Sequence, residues 1–67
     1  MPYLIGDDVL WKREGAQGHY ICRVVDVRPG APRPYTIEVL RHEWWGATTL
    51  SGTRRHVSAA RLYLRRP

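Results

Sequence analysis

Two predicted β-strands, one on either side of a proline-rich stretch, decide what kind of fold this chain can adopt. In Tyr35–Arg41 (YTIEVLR), apolar residues recur at every second position, as in a strand with one buried face. His19–Val27 (HYICRVVDV) is longer and carries apolar residues on both faces, which predicts a bent strand shared between two sheets. The intervening RPGAPRP holds three prolines and a glycine, so it must be a loop. The pattern predicts an all-β fold.

Three shorter strand candidates and one helical turn complete the pattern. Strands are predicted at Asp8–Arg13, at Thr53–Val57 and, as the closing strand, at Leu62–Arg65. A single helical turn over Ser58–Arg61 precedes the closing strand, and its first residue is the expected N-cap. The stretch HEWWG is interpreted as a loop or strand end, and Ala47–Ser51 as a strand extension.

Five short strands with one helical turn before the last are typical of a small five-stranded SH3-like barrel with one short 3-10 turn. A chain of 67 residues makes a single domain, residues 1–67, with a core one side-chain layer thick. Strict alternation places Val27 together with Arg23 on the face opposite to Cys22. The predicted core consists of Val9, Cys22, Val24, Ile37, Val39, Val57 and Leu62.

Positive charge is concentrated in the second half of the chain. The net charge is +5, and residues 34–67 hold six basic and two acidic side chains. The segment from Gly52 to Pro67 contains no acid and carries five arginines. Arginine presents a planar donor group that suits phosphate, so a polyanionic partner is predicted, against the alternative of a solvated charged surface. Glu38 is expected to pair with an arginine across the sheet.

The acid-free, arginine-rich segment from Thr53 to Pro67 is the predicted main contact surface for nucleic acid, and two adjacent tryptophans complete the predicted binding residues. Cations give salt-dependent affinity for phosphates, and aromatic rings stack on exposed bases. Because side chains alternate along a strand, at least one tryptophan of the pair should point outward. Alternation also makes Arg54 and His56 the outward pair of their strand, with Arg55 reaching solvent at the end of the barrel. The complete set is Arg54, Arg55, His56, Arg61, Arg65, Arg66, Trp44 and Trp45.

The alternative interpretation is a protein-interaction module that reads a peptide or a methylated tail. Its site would consist of the aromatic residues Trp11, Tyr20, Trp44 and Trp45. Aromatic cages close several rings around a methylated ammonium, and the cationic Arg13 two residues past Trp11 would oppose such a ligand. A third possibility is a structural subunit, a homo-oligomer formed through the two adjacent tryptophans.

No catalytic, metal or cofactor site is predicted. The sequence shows no phosphate-binding glycine loop, no nucleophile with a base and no facing carboxylate pair, so we expect a protein that is not an enzyme. His19 and Cys22 are three positions apart on a strand, which places them on opposite faces. The single cysteine predicts a reducing, intracellular setting. Neither a signal peptide nor a membrane-spanning segment is expected from the short apolar runs.

Two stretches resemble known families. GDDVLWKREGAQGHYICRVVDV resembles the first two strands of a Tudor domain, with a Gly-Asp turn, a short loop and an aromatic residue opening a valine-rich strand. YTIEVL and GTRRHVSAARLYLRRP resemble the end of the integrase C-terminal domain of Ty3/Gypsy-type retroelements. Both families are SH3-like barrels of the Tudor/chromo-like group. The resemblance implies a non-catalytic module that contacts chromatin or nucleic acid, DNA rather than RNA, and a nuclear location. Without the resemblance, the expected location is cytoplasmic.

Overall fold

The computed structural model describes residues 2–65 as one antiparallel sheet of five strands. The strands are β1 (Asp8–Trp11), β2 (Tyr20–Val27), β3 (Tyr35–His42), β4 (Arg54–Val57) and β5 (Leu62–Leu64), with a 3-10 turn at Ala59–Arg61. The all-β fold, the five strands and the turn before the last strand are thereby confirmed. Within residues 2–65, no helix has the length and apolar character that crossing a membrane requires.

The strand order forces the sheet to curl. In the sheet the order is β4-β3-β2-β1-β5, so β4 and β5 are consecutive in the chain but lie at opposite edges. Their connection is a 3-10 turn, which rises about 2 Å per residue, whereas the edges of a flat five-stranded sheet lie about 19 Å apart. The edges must therefore approach each other around the core. Among the described residues β4 and β5 do not pair, so the sheet is open and the predicted barrel is not confirmed.

The interior of the curled sheet contains every predicted core residue. All seven are buried, from Val9 on β1 to Leu62 on β5, and the core cluster also includes Trp11 and Tyr20. Tyr3 of the N-terminal segment lies against this cluster, with its ring edge-on to a buried tyrosine of β3 and its hydroxyl donating to the Leu62 carbonyl at 2.9 Å. Side chains from all five strands thus share one core.

Two β-bulges in the β2–β3 pair change which side chains face inward. The register shifts leave Leu40 of β3 and Val25 of β2 without cross-strand partners. Each extra residue reverses the facing of the side chains beyond it. Val27, which strict alternation assigns to the outer face, therefore packs against the core opposite Tyr35, and that assignment is wrong. For the same reason His42 at the end of β3 turns inward and is buried.

The predicted strand extension at Ala47–Ser51 is wrong, because this segment forms turns. The Ser51 N–H donates to the Thr48 carbonyl at 3.1 Å, and the Thr48 N–H donates to the Ser51 hydroxyl at 3.0 Å. Hydroxyl side chains that bond to nearby backbone groups compete with a sheet ladder. Ser58 occupies the N-cap position of the 3-10 turn as expected, but its side chain makes no capping hydrogen bond.

Candidate nucleic-acid interface

Trp44 and Trp45 form an exposed aromatic pair in the turn His42–Gly46, which we call the tryptophan turn. The two residues are 60% and 63% exposed, so both point outward where alternation required at least one. Backbone hydrogen bonds of 2.7 and 3.0 Å between His42 and Gly46 close the turn. The two indole rings lie nearly perpendicular, with centroids 5.9 Å apart. The turn therefore presents two large rings to solvent in a fixed arrangement.

The buried His42 side chain contacts both tryptophans of the turn. Its Nδ1 accepts hydrogen bonds from the backbone N–H groups of Trp44 at 3.0 Å and Trp45 at 3.4 Å. Its Nε2 donates to the Gln17 carbonyl at 2.8 Å, an arrangement that requires the neutral tautomer protonated at Nε2. The imidazole also stacks on Trp45, with centroids 4.2 Å apart and an interplanar angle of 17°. One face of the Trp45 ring is thereby covered.

The loop between β1 and β2 fixes the other side of His42. Gly18 has a φ of +67°, and a Cβ added there would lie 3.0 Å from His42 Cε1. The Glu43 carboxylate accepts the backbone N–H of His19 and contacts its Nδ1 at 2.8 Å, while the Glu43 N–H donates to the His19 carbonyl at 3.0 Å. These contacts fasten the tryptophan turn to the β1–β2 loop.

The other aromatic residues of the predicted peptide site lie in the core. Trp11 and Tyr20 are buried, with ring centroids 5.7 Å apart, and Tyr20 meets the His42 ring edge-on at 5.0 Å. They support His42 from the interior instead of lining an open cage. Of the predicted aromatic set, Trp44 and Trp45 are the rings that a ligand can reach.

A row of alternating charges, which we call the charge ladder, crosses the outer face of the sheet. The register aligns Asp8 with Arg23, Arg23 with Glu38, and Glu38 with Arg54. The ion-pair distances are 3.6 Å for Arg23–Asp8 and 3.5 Å for Arg54–Glu38, which confirms the expected cross-strand partner of Glu38. The β1–β5 register extends the row to Arg65, whose N–H donates to the Asp8 carbonyl at 3.1 Å. Opposite charges in this row partly offset one another.

The predicted basic residues are distributed over both edges of the sheet. Arg55 and His56 belong to β4 at one edge and are exposed, and the His56 Nδ1 lies 2.9 Å from the Thr36 hydroxyl. Arg61 ends the 3-10 turn, 3.9 Å from the Glu14 carboxylate. Arg66 lies outside the described residues. Within residues 2–65, the arginines that have no carboxylate at ion-pair distance are Arg13, Arg33, Arg41, Arg55 and Arg65.

Comparison of the chain with protein families, with curated proteins and with solved structures finds no match. Among residues 2–65, no group of three or more His, Cys, Asp or Glu side chains is arranged to hold a metal ion. Among the described residues, the exposed tryptophan pair and the exposed arginines without acidic partners are features that can support binding of a ligand.

Proposed function

We propose that this chain is a non-catalytic module that binds nucleic acid by stacking unpaired bases on the tryptophan turn. The observation that carries the proposal is that Trp44 and Trp45 are exposed yet held rigidly by buried His42. Groups that are already ordered before binding lose little conformational entropy when the ligand arrives. Stacking of a base on an aromatic ring contributes about 1–3 kcal/mol. The uncovered face of Trp45 is the proposed stacking surface.

Two of the arginines without acidic partners, Arg41 and Arg55, would neutralise the phosphates. Arg41 directly precedes His42 on β3 and is exposed on the outer face, and Arg55 is exposed on β4. Such residues can contact a phosphate without giving up an existing ion pair. Arg54 and Arg61 already have carboxylates at 3.5 and 3.9 Å, and we assign them a smaller part. The net charge of +5 supports attraction of a polyanion.

The SH3-like fold and the choice of DNA belong to the same proposal. The curled sheet and the 3-10 turn between its two edge strands support an SH3-like arrangement. The resemblance of the final segment to retroelement integrase domains favours DNA over RNA, and with it a chromatin context and a nuclear location. A short single-stranded DNA is therefore the first ligand to test.

The test is a fluorescence-anisotropy titration of labelled single-stranded DNA, single-stranded RNA and duplex DNA at two salt concentrations. Trp45→Leu keeps apolar bulk but removes the ring face, so we expect single-strand affinity to fall about 5- to 150-fold. Trp45→Phe is the matched control and should retain most of the affinity. Absence of binding to all three nucleic acids at low salt would refute the proposal. Sedimentation velocity would then establish whether the tryptophan pair joins copies of this chain.

A further inference from the structure

The loop between β2 and β3 and the end of β4 form a shallow basic depression of about 480 Å³. The Val27–Tyr35 pair closes the β2–β3 hairpin at this end, whereas the tryptophan turn follows the other end, at the Tyr20–His42 pair. The depression is therefore a different site from the proposed stacking surface. Its lining residues are Arg28, Ala31, Pro32, Arg33 and His56.

The loop that forms one wall of the depression is conformationally restricted. Three of its seven residues, from position 28 to position 34, are prolines, which fix the backbone φ angle. The Arg28 N–H donates to the Pro34 carbonyl at 2.7 Å, and the Ala31 N–H donates to the Arg28 carbonyl at 3.2 Å. Restricting the unbound loop reduces the entropy lost when its side chains hold a ligand. The two loop arginines are thus presented from a defined backbone.

Arg28, Arg33 and His56 are exposed, and their side-chain contacts leave nitrogen atoms without a partner among the described residues. The His56 ring is tied through Nδ1 to the hydroxyl of buried Thr36 at 2.9 Å, so its free nitrogen is Nε2. Asp26 contacts Arg28 through Nε at 3.4 Å, so Arg28, like Arg54, already has a carboxylate partner and offers another acceptor only its terminal guanidinium nitrogens. Arg33 has no carboxylate at ion-pair distance within residues 2–65.

We propose that Arg28, Arg33 and His56 form a binding site for a phosphate group. The two guanidinium groups donate to the phosphate oxygens through charge-assisted hydrogen bonds, which are the strong ones. In the tautomer whose Nδ1 accepts the Thr36 hydroxyl, the His56 imidazole donates a further bond through Nε2–H. A dianionic phosphate offers three terminal oxygens and more charge than a diester, so it is the preferred ligand. It can come from free phosphate or from the end of a nucleic-acid strand. The site does not rest on the proposed function, because it needs no base.

The test is an NMR titration with inorganic phosphate at constant ionic strength, following the His56 ring and the arginine Nε signals. We expect saturable shifts at Arg28, Arg33 and His56. Arg33→Ala should weaken phosphate binding about tenfold, which corresponds to losing one charge-assisted hydrogen bond. Arg13→Ala removes the same charge from an exposed arginine outside the depression and should leave the affinity unchanged.

An unsaturable response to phosphate, or equal weakening by Arg13→Ala and Arg33→Ala, would overturn the proposal. A second arm compares oligonucleotides with a 5′-phosphate and a 5′-hydroxyl. If the phosphorylated strand binds more tightly and Arg33→Ala removes this preference, the phosphate ligand of the site is the end of a strand. Saturable binding of inorganic phosphate without any oligonucleotide binding supports a free-phosphate site and refutes the nucleic-acid proposal alone. Oligonucleotide binding that ignores the 5′-phosphate, with no saturable phosphate response, refutes this site alone.

Discussion

The buried ring of His42 accepts two backbone hydrogen bonds, donates one and stacks on Trp45. Asparagine or glutamine could exchange hydrogen bonds but could not stack, and phenylalanine could stack but could not accept or donate. One side chain thus meets the polar requirements of the turn and covers one face of an exposed indole. His42 is thus in contact with both tryptophans of the turn.

A first prediction concerns the close approach of Gly18 to His42. Gly18→Ala should lower the free energy of unfolding by about 2–4 kcal/mol, because it adds a clash with the imidazole to the cost of a left-handed backbone. Gly15→Ala is the matched control, since Gly15 also has a positive φ of +79° but its Cβ would meet nothing within 4 Å. Urea unfolding measures the stability of both variants, and tryptophan fluorescence should change in Gly18→Ala. Equal destabilisation of the two variants would contradict the proposed contact.

The two tyrosines that meet at the edge of the core allow a second prediction. Among the described residues the buried Tyr35 hydroxyl has no hydrogen-bond partner, whereas the Tyr3 hydroxyl donates to the Leu62 carbonyl. Tyr35→Phe should therefore raise the free energy of unfolding by about 1 kcal/mol, since it removes an unsatisfied polar group. Tyr3→Phe should lower the free energy of unfolding by about 1 kcal/mol, since it removes the hydrogen bond to the Leu62 carbonyl. Thermal unfolding of both variants measures these changes in stability. Destabilisation by Tyr35→Phe would show that the Tyr35 hydroxyl does have a hydrogen-bond partner.

At the level of whole strands, the local pattern predicts where the strands are and which residues face the core up to each β-bulge. It does not predict which residues face the core beyond a bulge. Alternation predicts β3 and its inward-facing residues, because side chains two positions apart lie on the same face of a strand. The bulges at Val25 and Leu40 arise from the register between two strands, and both residues are apolar and fit either face. Nothing local in the sequence therefore indicates that His42 turns inward. The tryptophans could be found by composition, but the histidine that positions them could not.

The charge ladder leads to a prediction about neighbouring residues of β4. Arg55→Ala should reduce the magnitude of the salt slope of single-stranded DNA binding by about 0.7, the value for one phosphate contact. Arg54→Ala should reduce it less, because Arg54 already has the Glu38 carboxylate at 3.5 Å. The two variants lose the same charge from adjacent positions of one strand, so each controls for the other. Equal changes in slope would show that the ladder does not limit phosphate contacts.

For the whole molecule, the curled sheet separates two proposed sites by the length of one hairpin. β3 has eight residues, which at about 3.3 Å per residue corresponds to roughly 25 Å. The tryptophan turn follows one end of this strand, and the basic depression lies by the other. A ligand that occupies both sites must span this distance, which a single strand can do when it is stretched. Stacking at one site and phosphate capture at the other would then give the strand a direction on the protein.

The stability of the whole fold should depend on alkaline pH through one buried thiol. Cys22 is completely buried at the centre of the core, and this burial raises the pKa of its thiol from 9.0 to about 12. Between these values the unfolded chain loses the proton while the folded protein keeps it. The thiol's contribution is therefore complete below pH 9 and falls as pH rises toward 12, by about 1.4 kcal/mol per pH unit at most.

Urea unfolding of the parent and of Cys22→Ala between neutral pH and pH 11 would measure this loss. All other ionisable side chains are common to both proteins, so their contributions cancel in the difference. The stability advantage of the parent over Cys22→Ala should be constant below pH 9 and shrink above it. Because stability amounts to only about 0.05–0.15 kcal/mol per residue, a loss of this size in a 67-residue chain is a large part of the total. A difference that stayed constant up to pH 11 would mean that the folded protein ionises the thiol without opening its core.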